Sequence, residues 1–300
     1  MELRQLEYFC AVVEEGSLTA AARRLHLKQP SLSSAIRSLE GAVGVALLVR
    51  RARGVEPTSA GRLLLGAAQR ILGEVRELEE RLRAHEAGLA GSLTIACVPA
   101  LMWSRMPRLL RSLRHTAPGV DIQVVDPPPW DAIELVSRHR ADAAAILVAD
   151  PERFAERHGA QFVIVDWGPV PLRATLPPDR TAAPDPFPLS AIEHETLIMP
   201  RRTAALASLP EAIDDALARH GVRAAAVREA DTIQAGLPLI EAGYGMGLLP
   251  DADTGSLARF DCVVRDVHPA PMPLRAVVLL RHDFEEPALR RFVKLVGSQV

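Results

Sequence analysis

From Ser92 onward the chain alternates short apolar runs with helix-length amphipathic stretches, whereas its first 86 residues read almost wholly as helix. This change of period constrains the fold most. Side chains repeat every two residues along a strand and about every 3.6 along a helix, so neither pattern can serve as the other. In the second part, strands are predicted over 93–98, 120–125 and 143–148, with helices over 106–114 and 131–139. A second set follows. It has strands at 172–176, 195–199, 224–227, 246–249, 260–267 and 274–280, and helices at 206–220, 232–242 and 287–296. The proline-rich stretch 177–188 is a loop. Alternation of this kind predicts a mostly parallel sheet in two α/β lobes with a cleft between them.

The first sixty residues follow helical spacing. Leu3, Leu6, Phe9, Cys10 and Val13 form one apolar stripe, and Glu15-Gly16 breaks it. Ser17 suits the cap of a second helix, whose buried stripe is Leu18, Ala21, Ala22 and Leu25. After the turn His26-Leu27-Lys28, Pro30 opens a third helix, where its missing N–H costs nothing. Leu32, Ile36 and Leu39 face inward. Gln29, Ser31, Ser33, Ser34, Arg37 and Ser38 are predicted to face outward. That face is poor in helix formers and has no Glu–Lys pairs, which is odd for an ordinary solvated helix. Short hydroxyls, an amide and a guanidinium suit contact with base edges and phosphates. Residues 44–58 then read as two short strands around a tip holding Arg53-Gly54. A basic hairpin beside such a helix is a winged helix-turn-helix.

Charge agrees. The whole chain has 37 acidic and 35 basic residues, for a net charge of -2. Between residues 20 and 62 the basic residues are Arg23, Arg24, Lys28, Arg37, Arg50, Arg51, Arg53 and Arg62, against Glu40 and Glu56, a local net of +6. A basic segment in an otherwise acidic chain is the footprint of a nucleic-acid module. Arginine richness alone carries little weight, because Lys28 and Lys294 are the only lysines and the excess runs through the whole chain.

Thr58 suits the cap of a long helix ending near Glu86. Leu64, Ala68, Ile71, Val75, Leu78 and Leu82 are spaced alternately four and three, a heptad seam. The remaining surface is charged, so this rod of roughly 40 Å is expected to lack a core of its own and to need a partner. Ala87-Gly88-Leu89-Ala90-Gly91 is expected to be a hinge.

Four blocks in order and spacing, Leu18 to Arg37, Leu39-Glu40, Leu47-Leu48-Val49-Arg50 and Thr58-Ser59-Ala60-Gly61, resemble the N-terminal domain of LysR-type transcriptional regulators. Three positions depart from the family pattern: Lys28 replaces a small polar residue, Ser34 a basic one and Leu48 a phenylalanine. The C-terminal part resembles the family's effector-binding domain at Pro118-Gly119-Val120, at Arg140-Ala141-Asp142-Ala143-Ala144 and at Glu241 to Pro250. The fold implied is a winged helix-turn-helix, a linker helix and a two-lobed α/β domain like a periplasmic binding protein. The boundaries implied are 1–58, 59–90 and 91–300, with lobe I at 91–163 and 268–300 and lobe II at 164–267.

The resemblance implies a regulator that binds double-stranded DNA as a homodimer or homotetramer, answers to a small molecule, and has RNA polymerase as a further partner. DNA-contacting candidates are Leu18, Lys28, Gln29, Pro30, Ser31, Ser33, Ser34, Arg37, Arg50, Arg51 and Arg53. Effector candidates are Ala100, Leu101, Met102 and Ser104 after the first strand, Val148 at the end of another, and Arg201, Arg202 and Thr203 at a helix start. Relatives that bind carboxylates often carry Ser or Thr in the first loop. Ala100-Leu101-Met102-Trp103 here implies an apolar or aromatic effector, or a pocket with no ligand. Arg201 and Arg202 are either partners for an anion or solvated surface arginines.

No catalytic set, metal site or cofactor is expected. The nine histidines are scattered without metal spacing. Gly243-Tyr244-Gly245-Met246-Gly247 follows a helix and precedes a strand, the reverse of a dinucleotide fingerprint. An enzyme or solute carrier on the same two-lobed frame would leave the N-terminal module unexplained. Three widely spaced cysteines, Cys10, Cys97 and Cys262, and the lack of a signal-peptide pattern or an eighteen-residue apolar run lead to the expectation of a cytoplasmic protein with inert thiols.

Overall fold

The computed structural model describes residues 1–51, 54–202, 206–253 and 255–298. They fall into two compact units, Met1–Arg83 and Ala84–Val300.

In the first unit, α1 (Leu3–Glu15) ends at Gly16, whose φ of 58° is a left-handed conformation open to glycine. The Ser17 hydroxyl accepts from the Ala20 amide and starts α2 (Leu18–Arg24). The third helix, α3 (Gln29–Val43), has Pro30 in its first turn and ends at left-handed Gly44. Phe9, Val12, Ala21, Leu32, Leu39 and Leu47 close the core. Ala21 is fully buried, so these helices meet where a larger side chain would hold them apart. Antiparallel β1 (Leu48–Arg51) and β2 (Gly54–Pro57) form the wing, with Arg50 opposite Val55.

The long helix α4 (Ser59–Glu86) starts under Thr58, whose Oγ1 accepts from the Gly61 amide at 2.9 Å. Its first half corrects the expectation of a helix with no core of its own. Ala68 and Leu72 pack against Leu6 and Cys10 of α1. Farther along, Leu78 and Leu82 are 50% and 62% exposed, so the distal seam is unpaired in a single chain.

The second unit opens on the segment expected to be a hinge. It is pinned instead. The Ala87 carbonyl accepts from Arg291, and a Cβ on Gly88 would meet the Pro287 carbonyl at 2.6 Å. Lobe I holds a five-stranded sheet. Its strands are β3 (Ala90–Cys97), β4 (Gly119–Val125), β5 (Ala143–Val148), β6 (Phe162–Val170) and, returning much later, β14 (Leu274–Arg281). They lie in the order β4-β3-β5-β14-β6. β14 runs antiparallel to both neighbours, so the sheet is mixed at the position where the returning chain inserts. Helices α5 (Pro99–Trp103), α6 (Arg105–Thr116), α7 (Pro129–Ser137) and α8 (Pro151–His158) follow the early strands, and α5 and α8 were not expected.

Lobe II is built from shorter pieces. Antiparallel β7 (Leu172–Leu176) is flanked by β11 (Gly247–Pro250) and β12 (Val263–Arg265). Parallel pairs join β9 (Thr196–Pro200) to β10 (Ala226–Ala230), and β8 (Phe187–Pro188) to β13 (Val267–His268). Helices α9 (Leu209–Arg219) and α10 (Ile233–Glu241) cover it, and α11 (Pro287–Gly297) closes the chain back in lobe I. The expected single strand over 260–267 is split into β12 and β13.

The crossings between lobes fall later than the lobe bounds implied at 163/164 and 267/268. β6 stays paired with β14 as far as Val170, and β7 begins at Leu172. The return follows His268. Pro171 marks the first crossing, and Pro269, Pro271 and Pro273 the second. Proline has no N–H to donate to a ladder; Pro169 is carried inside β6 opposite Arg275, and β7 and β14 begin just after Pro171 and Pro273.

Candidate nucleic-acid interface and ligand cleft

On α3, Gln29, Pro30, Ser31, Ser34, Arg37 and Ser38 are exposed, as is Lys28 before it. Ser33 departs from the expected outward face. It is 8% exposed, and its Oγ accepts from Arg37 Nη1 at 3.3 Å. Spacing explains this. Ser33, Arg37 and Glu40 stand on successive turns and line a groove with Leu18, Leu48 and Arg50, between α3 and the wing. Ser33 therefore aims Arg37 instead of offering a free hydroxyl. Leu18 is half-buried at the same groove. The module's ion pairs are Arg24 with Glu14 and Glu15, and Arg51 with Glu56 at 3.6 Å. Lys28, Arg37 and Arg50 enter no ion pair among the described residues. Arg53 lies outside those residues.

The wing is held from three sides. One oxygen of Glu40 accepts from the Leu47 and Leu48 amides at 2.8 and 3.1 Å. Thr58 donates its hydroxyl to the Ala46 carbonyl at 2.8 Å and its amide to the Leu47 carbonyl at 2.9 Å. The Val55 amide donates to the Gly16 carbonyl at 2.8 Å. Close approach there needs glycine, because a Cβ on Gly54 would lie 2.4 Å from that carbonyl oxygen. Glu40 was legible only as part of a motif. A carboxylate just past the last buried turn of a helix, before a strand, was its only signal.

The second site is a cleft between the lobes. It lies at the carboxyl ends of β3 and β5 and at the starts of α5, α7, α9 and α10, where open α/β sheets bind ligands. Of the effector candidates, Ala100 and Arg201 line it. Arg201 pairs with Asp231 at 2.8 Å. The other effector candidates sit elsewhere. Leu101 and Val148 are fully buried in the core. Leu147 reaches the cleft in place of Val148, because neighbours along a strand point to opposite faces. Met102 is half-buried against the core, and Ser104 turns its hydroxyl back to the Ala100 carbonyl at 2.7 Å. Arg202 pairs with Asp214 away from the cleft lining. Thr203 lies outside the described residues.

The structure adds Asp126, Trp130, Asp231, Thr232, Ile233 and Gln234 to the lining. Gln234 Nε2 donates to Asp126 Oδ2 at 3.2 Å and ties lobe II to lobe I across the cleft. The run Asp126-Pro127-Pro128-Pro129-Trp130 leaves the carboxyl end of a strand, so the rule that placed Ala100 could have found it. Behind the cleft, Trp103 meets Phe260 edge-on at 4.9 Å, and the Trp103 carbonyl accepts from Arg259.

The cysteines are unsuited to nucleophilic chemistry. Burial pushes the Cys97 thiol far above its ordinary range. Burial, with Glu241 and Asp261 nearby, pushes Cys262 up to about 11. Burial and Glu14 raise Cys10. Among the described residues, no His, Cys, Asp and Glu cluster could hold a metal ion, and no helix is long and apolar enough to cross a membrane.

Comparison with known proteins covers both units. Residues 3–62 match the family model for the bacterial regulatory helix-turn-helix protein, lysR family, and residues 86–300 match the model for the LysR substrate binding domain. The HTH-type transcriptional regulator IlvR of Caulobacter vibrioides is 32% identical over 299 residues, covering 99% of this chain and 97% of its own. A probable cat1 operon transcriptional activator of Acinetobacter lwoffii is 32% identical over 254 residues, covering 83% of this chain and 80% of its own. Among solved structures, CbnR, a LysR family transcriptional regulator, is similar with a TM-score of 0.86 at 25% identity, covering 99% of this chain and 100% of its own. Full-length CbnR complexed with its target DNA is similar with a TM-score of 0.81, also at 25% identity, covering 100% of this chain and 99% of its own.

Proposed function

Because the chain belongs to the LysR family of transcriptional regulators, we propose that it binds promoter DNA through paired winged helices and that a small molecule in the interlobe cleft controls it. Its relatives are regulators and not enzymes. In this reading, residues 1–58 contact DNA, 59–90 pair two chains, and 91–300 sense the ligand. The protein works in the cytoplasm as a dimer or tetramer, where RNA polymerase is within reach.

The observation that carries the DNA reading is the polar α3 face beside a wing, with Lys28, Arg37 and Arg50 in no ion pair among the described residues. In this reading Gln29 and Arg37 read base edges, and Lys28, Arg50 and Arg51, with Arg53 from the sequence expectation, meet phosphates. The ligand acts by binding one arrangement of the paired modules better than another, since equal affinity shifts nothing.

Salt dependence of binding to the protein's own promoter fragment tests this. Each neutralised phosphate lowers the log–log slope by roughly 0.9, so a dimer engaging several per module has a slope steeper than about -4. A slope near zero would overturn the proposal. Gln29→Ala is expected to relax base preference across a panel of variant operators, whereas Arg50→Ala weakens all of them alike.

A further inference from the structure

We propose that the cleft takes a compact apolar or aromatic molecule bearing a hydroxyl or amino group and no carboxylate, with that donor held by Asp126. The proposal rests on reading the cleft as the effector site and adds the ligand's charge class.

The walls are apolar, with Trp130, Leu147, Leu209 and Ile233 facing the space. The charges in the lining are the carboxylates of Asp126 and Asp231 and the guanidinium of Arg201, among the described residues. Arg201 is already committed to Asp231. The surplus charge is therefore negative, and it belongs to Asp126. Its Oδ2 accepts from Gln234, while Oδ1 takes no hydrogen bond among the described residues.

Helix starts ordinarily favour anions, because their first amides lack partners and point outward. Here that capacity is largely removed. Pro99 and Pro129 begin α5 and α7, and Pro210 sits in the first turn of α9, so three of those positions have no N–H. At α9 the Ser208 hydroxyl accepts from the Glu211 amide, and the Glu211 carboxylate accepts from the Ser208 amide. At α10 the Thr232 hydroxyl accepts from the Ala235 amide. Asp126 and Asp231 already stand just ahead of α7 and α10, where a bound anion would otherwise settle. A ligand carboxylate would be set beside these two exposed carboxylates, and like charges at close range repel. A hydroxyl or ammonium group instead supplies the donor that Asp126 lacks, and the ring stacks on apolar wall.

The test uses three probes of matched shape, benzylamine, benzyl alcohol and benzoate, titrated into the full-length protein by calorimetry or ligand-observed NMR. Benzylamine and benzyl alcohol are expected to bind at least tenfold more tightly than benzoate. Asp126→Asn keeps an acceptor but removes the charge. It is expected to cost benzylamine about tenfold while leaving benzyl alcohol within threefold. Benzoate binding as tightly as the other two, an unchanged benzylamine affinity in Asp126→Asn, or no binding of any probe would overturn the proposal. The same samples are run on promoter DNA. If benzoate binds best and alters the footprint, the charge class falls and the regulator reading stands. If the DNA is not retained at all, the regulator reading falls whatever the cleft binds.

Discussion

Among the described residues Glu40 pairs with no cation; its one accepting oxygen takes two backbone amides at the start of the wing. Its role is to aim β1 relative to α3. Glu40→Ala leaves two amides short of a partner and is expected to destabilise the N-terminal module by about 2 kcal/mol. Glu40→Gln keeps the oxygen and should recover most of that. Urea unfolding measures the stability, and footprinting should show protection under the wing lost before protection under α3. A second residue-scale prediction concerns His158. Its ring packs on Phe154 at 4.6 Å, its Nε2 is buried without a partner among the described residues, and burial, with Arg157 nearby, holds its pKa below the ordinary 6.5. The unfolded chain therefore takes up this proton first as pH falls. Stability is unaffected above about 6.5 and declines as pH drops from there toward the lowered native value, then levels off. His158→Leu is expected to flatten that segment of a stability–pH profile. Cys97 and Cys262 are expected to resist iodoacetamide at pH 8 in the folded protein and to react in urea, as mass spectrometry would show.

At the scale of elements, the clearest periodicities correspond to the helices of the first unit. Ser17 caps and Gly16 and Gly44 terminate where local chemistry says they should. Ser33 was misplaced because helix spacing alone cannot tell an exposed flank from a groove filled by a later hairpin. The linker shows the same limit. Its heptad seam was legible, yet only contact with α1 divides it into a half packed on Leu6 and Cys10 and a half left open. The open half carries the pairing prediction. Leu78→Glu with Leu82→Glu is expected to yield monomers in sedimentation at micromolar concentration. It should also weaken operator binding at least tenfold, because one module loses the effective concentration supplied by the other. Unchanged association would place dimerisation elsewhere.

At the scale of the molecule, the alternating pattern gave two lobes, but strand direction and the points of crossing depended on where the chain returns. β14 inserts antiparallel between β5 and β6, a pairing between residues more than a hundred positions apart that local pattern does not encode. The cleft was legible as a place and poorly legible as a list of residues. Val148 and Leu147 differ only by the phase of one strand, and Trp130 and Gln234 converge from different lobes. Gln234→Leu removes the donor that spans the cleft. It is expected to lower the unfolding temperature by only a degree or two while changing ligand affinity, which a thermal scan with and without ligand would separate.

The attachment of Thr58 also bears on how regulators of this kind could be recombined. One hydroxyl serves both the first turn of the long helix and the carbonyl of Ala46 ahead of the wing, and Gly61 packs so close to the Leu47 carbonyl that a Cβ there would lie 2.1 Å from its oxygen. The reading head and the first turn of its shaft are therefore one machined part. A chimera that swaps heads at the end of the wing, between Glu56 and Thr58, cuts through that part. A junction placed beyond Leu72 transplants it whole, together with the helix face that rests on α1.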